Sequence, residues 1–151
     1  MVKNILFATD FLSHSNQAFK FAIDLKEKYQ SKLVVLNINE EFLSKNEMVM
    51  SRVGVDKIKK TNEEIALNSK KMFEKMIVNI NIKNLSNVKM IQRKGIASKE
   101  IIKYANSINS DLIIIGSNNH SKISELLIGS TARKVINNSK IDTSTFLTAD
   151  E

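Results

Sequence analysis

A repeated change in the spacing of apolar residues constrains the fold of this chain more than any other feature. The run NILFATD (4–10) is apolar until its polar end, as a strand buried on both faces requires. From Ser13 to Tyr29 the spacing turns helical, with Ala18, Ala22, Leu25 and Tyr29 at steps of four, three and four. KLVVLNINE (32–40) returns to a strand rich in β-branched residues. After a mixed stretch over 40–56, with a break at Gly54, a long helix is expected to about Met76. It carries Ile65, Met72 and Met76 on one stripe. VKMIQRKG (88–95) reads as a third strand, and Ile101, Ile102, Ala105 and Ile108 mark the next helix. DLIIIG (111–116) is the most strand-like segment present. A last helix from about Ser130 to Asn138 turns Ala132, Val135 and Ile136 inward, and DTSTFLTA (142–149) supplies a fifth strand.

Strands that alternate with helices in this way imply an α/β fold. The expected form is an open, mostly parallel five-stranded sheet with helices on both faces, joined by right-handed crossovers. No proline interrupts any element, and no repeat or linker divides the chain, so residues 1–151 read as one domain. Several chemistries are excluded. Cysteine is absent, which removes disulfides, thiolate metal sites and thiol catalysis. The two histidines, His14 and His120, lie far apart in sequence, which argues against a histidine metal centre. There is no G-x-S-x-G elbow and no Walker G-x-x-x-x-G-K-[ST] pattern, so efficient hydrolysis is not indicated.

The formal net charge is +7, but the lysines are scattered and aromatic residues make up only 6%. Without a basic face interleaved with aromatics, nucleic-acid binding is disfavoured. The apolar run LIIIG is far shorter than the ~20 residues of a membrane span, and the N-terminal apolar run is too short for a secretory leader. A soluble, cytoplasmic protein is the expectation.

The site candidates follow from the fold. Open parallel sheets bind ligands beyond the carboxyl ends of their strands, where the strand order reverses. The residues that follow the strands are Thr9-Asp10, Asn37-Ile38-Asn39 and Gly116-Ser117. The chain has four glycines, and two of them, Gly116 and Gly129, flank the Ser/Asn/Lys-rich stretch IIIGSNNHSKISELLIGST (113–131). Gly129-Ser130-Thr131 falls at the start of the last helix, where unpaired N–H groups and the positive dipole end favour an anion. Ser130 and Thr131 hydroxyls are candidates to cap that helix or to donate to a phosphate. The plainer reading stands beside this one: a glycine after a strand can be only a turn, and Asp10 can serve only an Asx turn.

The same residues resemble the universal stress protein family, whose ATP-binding members carry glycine, two residues, glycine, nine residues, then glycine with Ser or Thr. Gly116 matches the first glycine, Gly129 with Ser130 matches the closing pair, and Asn119 replaces the middle glycine. ILFATDFLSHSNQAFKFA and GIASKEIIKYANSINSDLIIIGS are similar to the family's opening and to its run into the fourth strand. The resemblance extends over the full chain. It implies a Rossmann-like, adenine nucleotide α-hydrolase-like fold that binds ATP, with or without Mg²⁺. Carried over by position, Asp10 approaches the ribose, with Thr9 beside it as a further binding residue; the backbone at Ile38 meets adenine, and Ile115 lies near the base. Gly116, Asn119, Gly129, Ser130 and Thr131 surround the phosphates. It also implies a homodimer acting on an unidentified protein partner through nucleotide-dependent contacts. A nucleotide-independent dimeric interaction protein and a slow ATPase remain the alternatives.

Overall fold

A computed structural model describes residues 1–12, 15–40, 55–117 and 128–147. The chain runs through β1 (Asn4–Ala8), α1 (Asn16–Tyr29), β2 (Lys32–Asn39), α2 (Val55–Asn79) and β3 (Val88–Lys94). It continues through α3 (Ala97–Ser107), β4 (Leu112–Ser117), α4 (Ser130–Asn138) and β5 (Asp142–Leu147). The strands form one sheet in the order β3-β2-β1-β4-β5, and every neighbouring pair is parallel. From β1 the chain builds outward to β3 on one side. It then returns to place β4 and β5 on the other. β1 is therefore the centre, with Ile5 opposite both Leu33 and Leu112, and Ala8 opposite both Leu36 and Ile115.

Alternation along each strand divides the core into two layers. Ile5, Phe7, Leu33, Val35 and Ile114 point to one face, where Ala18, Phe19 and Ala22 of α1 and Met76 of α2 cover them. Leu6, Ala8, Leu36, Ile113 and Ile115 point to the other, against Ile101 and Ala105 of α3 and Ala132 and Val135 of α4. The Phe7 and Phe19 rings stack at 5.2 Å between centroids, and Phe73 of α2 closes on Phe19 at 6.0 Å. Fully burying such a side chain stabilises by about 1.5–3 kcal/mol. These aromatics bind β1, α1 and α2 into one layer. Met72 and Met76 belong to this layer, as expected, while Met48, Met50 and Gly54 lie outside the described residues. Among the described residues, no helix is long and apolar enough to cross a membrane.

Two helix faces differ from the expected pattern. In α1 the step of four from Ala18 and Ala22 continues to Lys26, which is only 3% exposed, whereas Tyr29 is 39% exposed. A lysine is tolerated there because its ammonium finds partners. Lys26 Nζ donates to the Ser86 carbonyl at 2.9 Å and the Asn84 carbonyl at 3.3 Å, and pairs with Glu27 at 2.7 Å. It thereby pins the α2–β3 connection to α1. In α4, Ala132 and Val135 are buried but Ile136 is 41% exposed. One residue past Val135, it is carried about 100° further round the helix and away from the sheet.

The amino ends of the central strands are tied by a carboxylate. Asp111 Oδ2 accepts from the backbone N–H of Lys3 at 2.7 Å and of Asn4 at 2.9 Å. These bonds, that from Asn4 first, hold the Asp111 carboxyl below its ordinary value near 3.8. A carboxylate with a lowered pKa stabilises the fold fully above its unfolded value, and the contribution fades as pH falls through the folded one. Wild type should therefore lose stability below pH 3.8 in part through this group. Asp111→Asn should be less stable at pH 7 and show a flatter acid dependence, measured by urea unfolding between pH 2 and 7.

Candidate functional site

The turn that ends β1 is built from side chains that bond to their own backbone. Thr9 N–H donates to the Leu36 carbonyl at 3.0 Å, continuing the ladder to β2 beyond Ala8. The Thr9 hydroxyl then accepts from Phe11 N–H at 2.9 Å, and Asp10 Oδ1 accepts from Leu12 N–H at 2.9 Å. The Asx turn at Asp10 is thus present. Phe11 takes a φ of 64°, a left-handed conformation in which a bulky residue is an outlier. Its ring is buried, 6.1 Å from that of Phe73. Such strain persists where surrounding contacts over-determine it.

Ser15, at the start of α1, completes the turn. Its hydroxyl donates to Asp10 Oδ1 at 3.3 Å, and the residue is almost wholly buried. It also accounts for Gly116 at the end of β4. A Cβ on Gly116 would lie 2.6 Å from Ser15 Oγ and 3.3 Å from Ser15 Cα. The missing Cβ is what lets Ser15, just before α1, close against the end of β4.

Across the sheet, α4 begins at Ser130 with Gly129 before it in an extended conformation. Among the described residues no side chain caps this helix, so neither the Ser130 nor the Thr131 hydroxyl takes the capping role the sequence allowed. Its first turn holds no acidic residue, and Arg133 and Lys134 follow. The start of α3 differs, for there Glu40 Oε1 accepts from Ala97 N–H at 2.6 Å. One helix start is matched by a carboxylate; at the other, no acidic residue lies in the first turn.

These segments enclose a cleft of about 650 Å³ at the carboxyl edge of the sheet, over the point where strand order reverses. Thr9, Asp10, Ile38, Ile115, Gly116, Gly129, Ser130 and Thr131 all line it. Ala8, Leu36, Ile101 and Ala132 give it an apolar floor, and Asn37, Asn39, Glu40 and Ser69 add polar groups. Ser15 and Ser69 were not among the candidates. Ser69 had a signal, a small polar residue on the Ile65–Met72–Met76 stripe of α2; Ser15 had none. Asn119, His14 and His120 lie outside the described residues. Among the described residues, no group of three or more metal-ligating side chains converges.

An open parallel α/β domain with a polar-rimmed, apolar-floored cleft at its switch point is the class these features define. Residues 1–144 match the family model described as the universal stress protein family, and the chain belongs to that family. It is 29% identical over 151 residues to a universal stress protein of Methanocaldococcus jannaschii, covering 92% of this chain and 91% of that one. The solved structure of that archaeal protein superimposes with a TM-score of 0.76 at 24% identity, over 100% of this chain and 99% of the other. A universal stress protein solved in complex with cAMP superimposes at 0.68, with 16% identity and 98% of each chain covered. One from Archaeoglobus fulgidus, in complex with dAMP, does so at 0.59, with 14% identity over 96% of this chain and 98% of that one.

The Gly116 contact is open to test. Gly116→Ala should destabilise the fold by about 1–3 kcal/mol in chemical denaturation, as overpacking of a tight contact does. Adding Ser15→Ala removes the nearest obstructing atom and should recover part of that loss, so the two changes will not add.

Proposed function

We propose that this protein is an adenine-nucleotide-binding module that takes ATP, with or without Mg²⁺, in the cleft at the carboxyl edge of the sheet. One observation carries the reading. Eight residues nominated from four separate stretches of sequence come together around a single cavity at the position where open parallel sheets bind ligands. The solved relatives with cAMP and dAMP support the same ligand class. In this reading the adenine rests on the apolar floor beside Ile38 and Ile115. Asp10 accepts from the ribose hydroxyls, and the phosphates meet Gly129, Ser130 and Thr131 at the start of α4. Asn119 belongs to the same phosphate-binding stretch by sequence.

The module acts in the cytoplasm, in the stress response, by changing its partner surface when nucleotide is held, with no catalytic residue assigned. It works as a homodimer. The edge strand β5, with Thr143, Ser144 and Thr145 partly covered, offers a ladder for a second copy.

Isothermal titration of wild type with Mg-ATP should give a saturable heat, and nucleotide should raise the melting temperature by mass action. Asp10→Ala should weaken binding by about tenfold or more, the size expected for one lost charge-assisted hydrogen bond. Asp10→Asn keeps an oxygen for Leu12 N–H and should weaken it less. No heat at millimolar nucleotide would leave a nucleotide-independent interaction protein of the same fold.

A further inference from the structure

Three elements carry a polar residue where their own pattern calls for an apolar one. On β2, Asn37 follows Leu33 and Val35 on the same face; on β3, Gln92 follows Val88 and Met90. These two are register partners. On α2, Ser69 sits in the stripe with Met72 and Met76 and is buried. Burying polar groups in an apolar layer costs free energy unless each finds a partner. Here they find one another. Gln92 Nε2 donates to Ser69 Oγ at 2.6 Å and to Asn37 Oδ1 at 3.4 Å, and Ser69 Oγ donates to Asn37 Oδ1 at 3.4 Å.

The cluster reaches out to β1. Asn37 Nδ2 donates to the Thr9 carbonyl at 2.9 Å. A carbonyl only accepts, so it dictates which way the Asn37 amide faces, and the two donors behind Oδ1 agree with that orientation. Thr9 is where β1 leaves the ladder and turns through the left-handed Phe11. The turn supplies its own partners for Phe11 N–H and Leu12 N–H, whereas the Thr9 carbonyl is held from another strand.

We infer that Asn37, oriented by Ser69 and Gln92, is a positioning residue that fixes the Thr9–Phe11 turn for nucleotide. This deepens the nucleotide reading and rests on it. Asn37 acts through the turn, by setting where Thr9 and Asp10 stand before ligand arrives. A pre-set turn spends less binding free energy on ordering. The same contacts tie α2 to the cleft wall, to which Ser69 and Met72 both contribute.

Asn37→Asp is the direct test, because it keeps the shape and turns an oxygen toward the Thr9 carbonyl. Ser69→Ala is the second variant, removing only the hydroxyl behind Asn37, and it decides the matter should Asn37→Asp not fold. Amide hydrogen exchange is read by NMR in nucleotide-free protein, and Mg-ATP affinity by calorimetry. Asn37→Asp should speed exchange at Phe11 and Leu12 by about tenfold and weaken Mg-ATP by about tenfold, the scale of one lost hydrogen bond. Ser69→Ala should do both to a smaller degree. Exchange at Ile5–Phe7 and at Ile113 and Ile114 should stay as in wild type. Unchanged exchange at Phe11 and Leu12 overturns the inference, as does unchanged affinity in a folded variant. Equal acceleration in the core strands also overturns it, since that is a general loss of stability. A wild-type protein that takes no Mg-ATP overturns the nucleotide reading and the ligand role of Asn37 together. The exchange result then separately decides whether Asn37 holds the turn.

Discussion

The placement of β1 between β2 and β4 is the constraint on which everything else in this molecule depends. The chain leaves the carboxyl end of β1 toward one side of the sheet, and the chain that leaves β4 goes to the other. Connections that diverge leave a gap between them. The gap is bounded by the Thr9–Phe11 turn, the end of β4 and the start of α4, so its lining is set by topology before any side chain is chosen. Side chains then decide its character. Apolar residues from the strand ends and from α3 and α4 make the floor, and the two helix starts at the rim differ in charge.

That difference bears on where an anion would settle. Glu40 answers the N–H groups at the start of α3, while α4 begins with Gly129, no acidic residue in its first turn and two cations following. A polyphosphate brought into the cleft would be repelled from the first and drawn to the second. The proposed pose, with base toward β2 and phosphates toward α4, would thus be favoured by charge as well as by shape.

Much of the fold was legible in the amino-acid sequence because periodicity reports burial. The runs at 4–10 and 111–116 are mostly apolar at consecutive positions and short, as strands covered on both faces are, and they are neighbouring strands of the sheet. The polar tail at 142–147 is an edge strand, where among the described residues one side of the ladder meets no neighbour. Two helix faces were not legible in this way. Lys26 reads as surface until the carbonyls of Asn84 and Ser86, some sixty residues away, are seen to receive it. Ile136 reads as core until the end of α4 is seen to turn it outward.

The site was partly legible for a related reason. Residues after strands can be picked out one segment at a time, and glycines that are rare in a chain draw notice. What such reading misses is the support behind them. Ser15 is an ordinary serine until Gly116 lies against it, and Asn37, Ser69 and Gln92 acquire meaning only together. The central claim is that adenine nucleotide enters this cleft and no other surface. Backbone amide NMR of the ¹⁵N-labelled protein, titrated with Mg-ATP, tests it most directly. Shifts should concentrate at Thr9, Asp10, Ile38, Gly116, Ser130 and Thr131. Unmoved resonances at saturating nucleotide, or shifts confined to the hollow between Lys20 and Ile82 on the far side of α1, would contradict it.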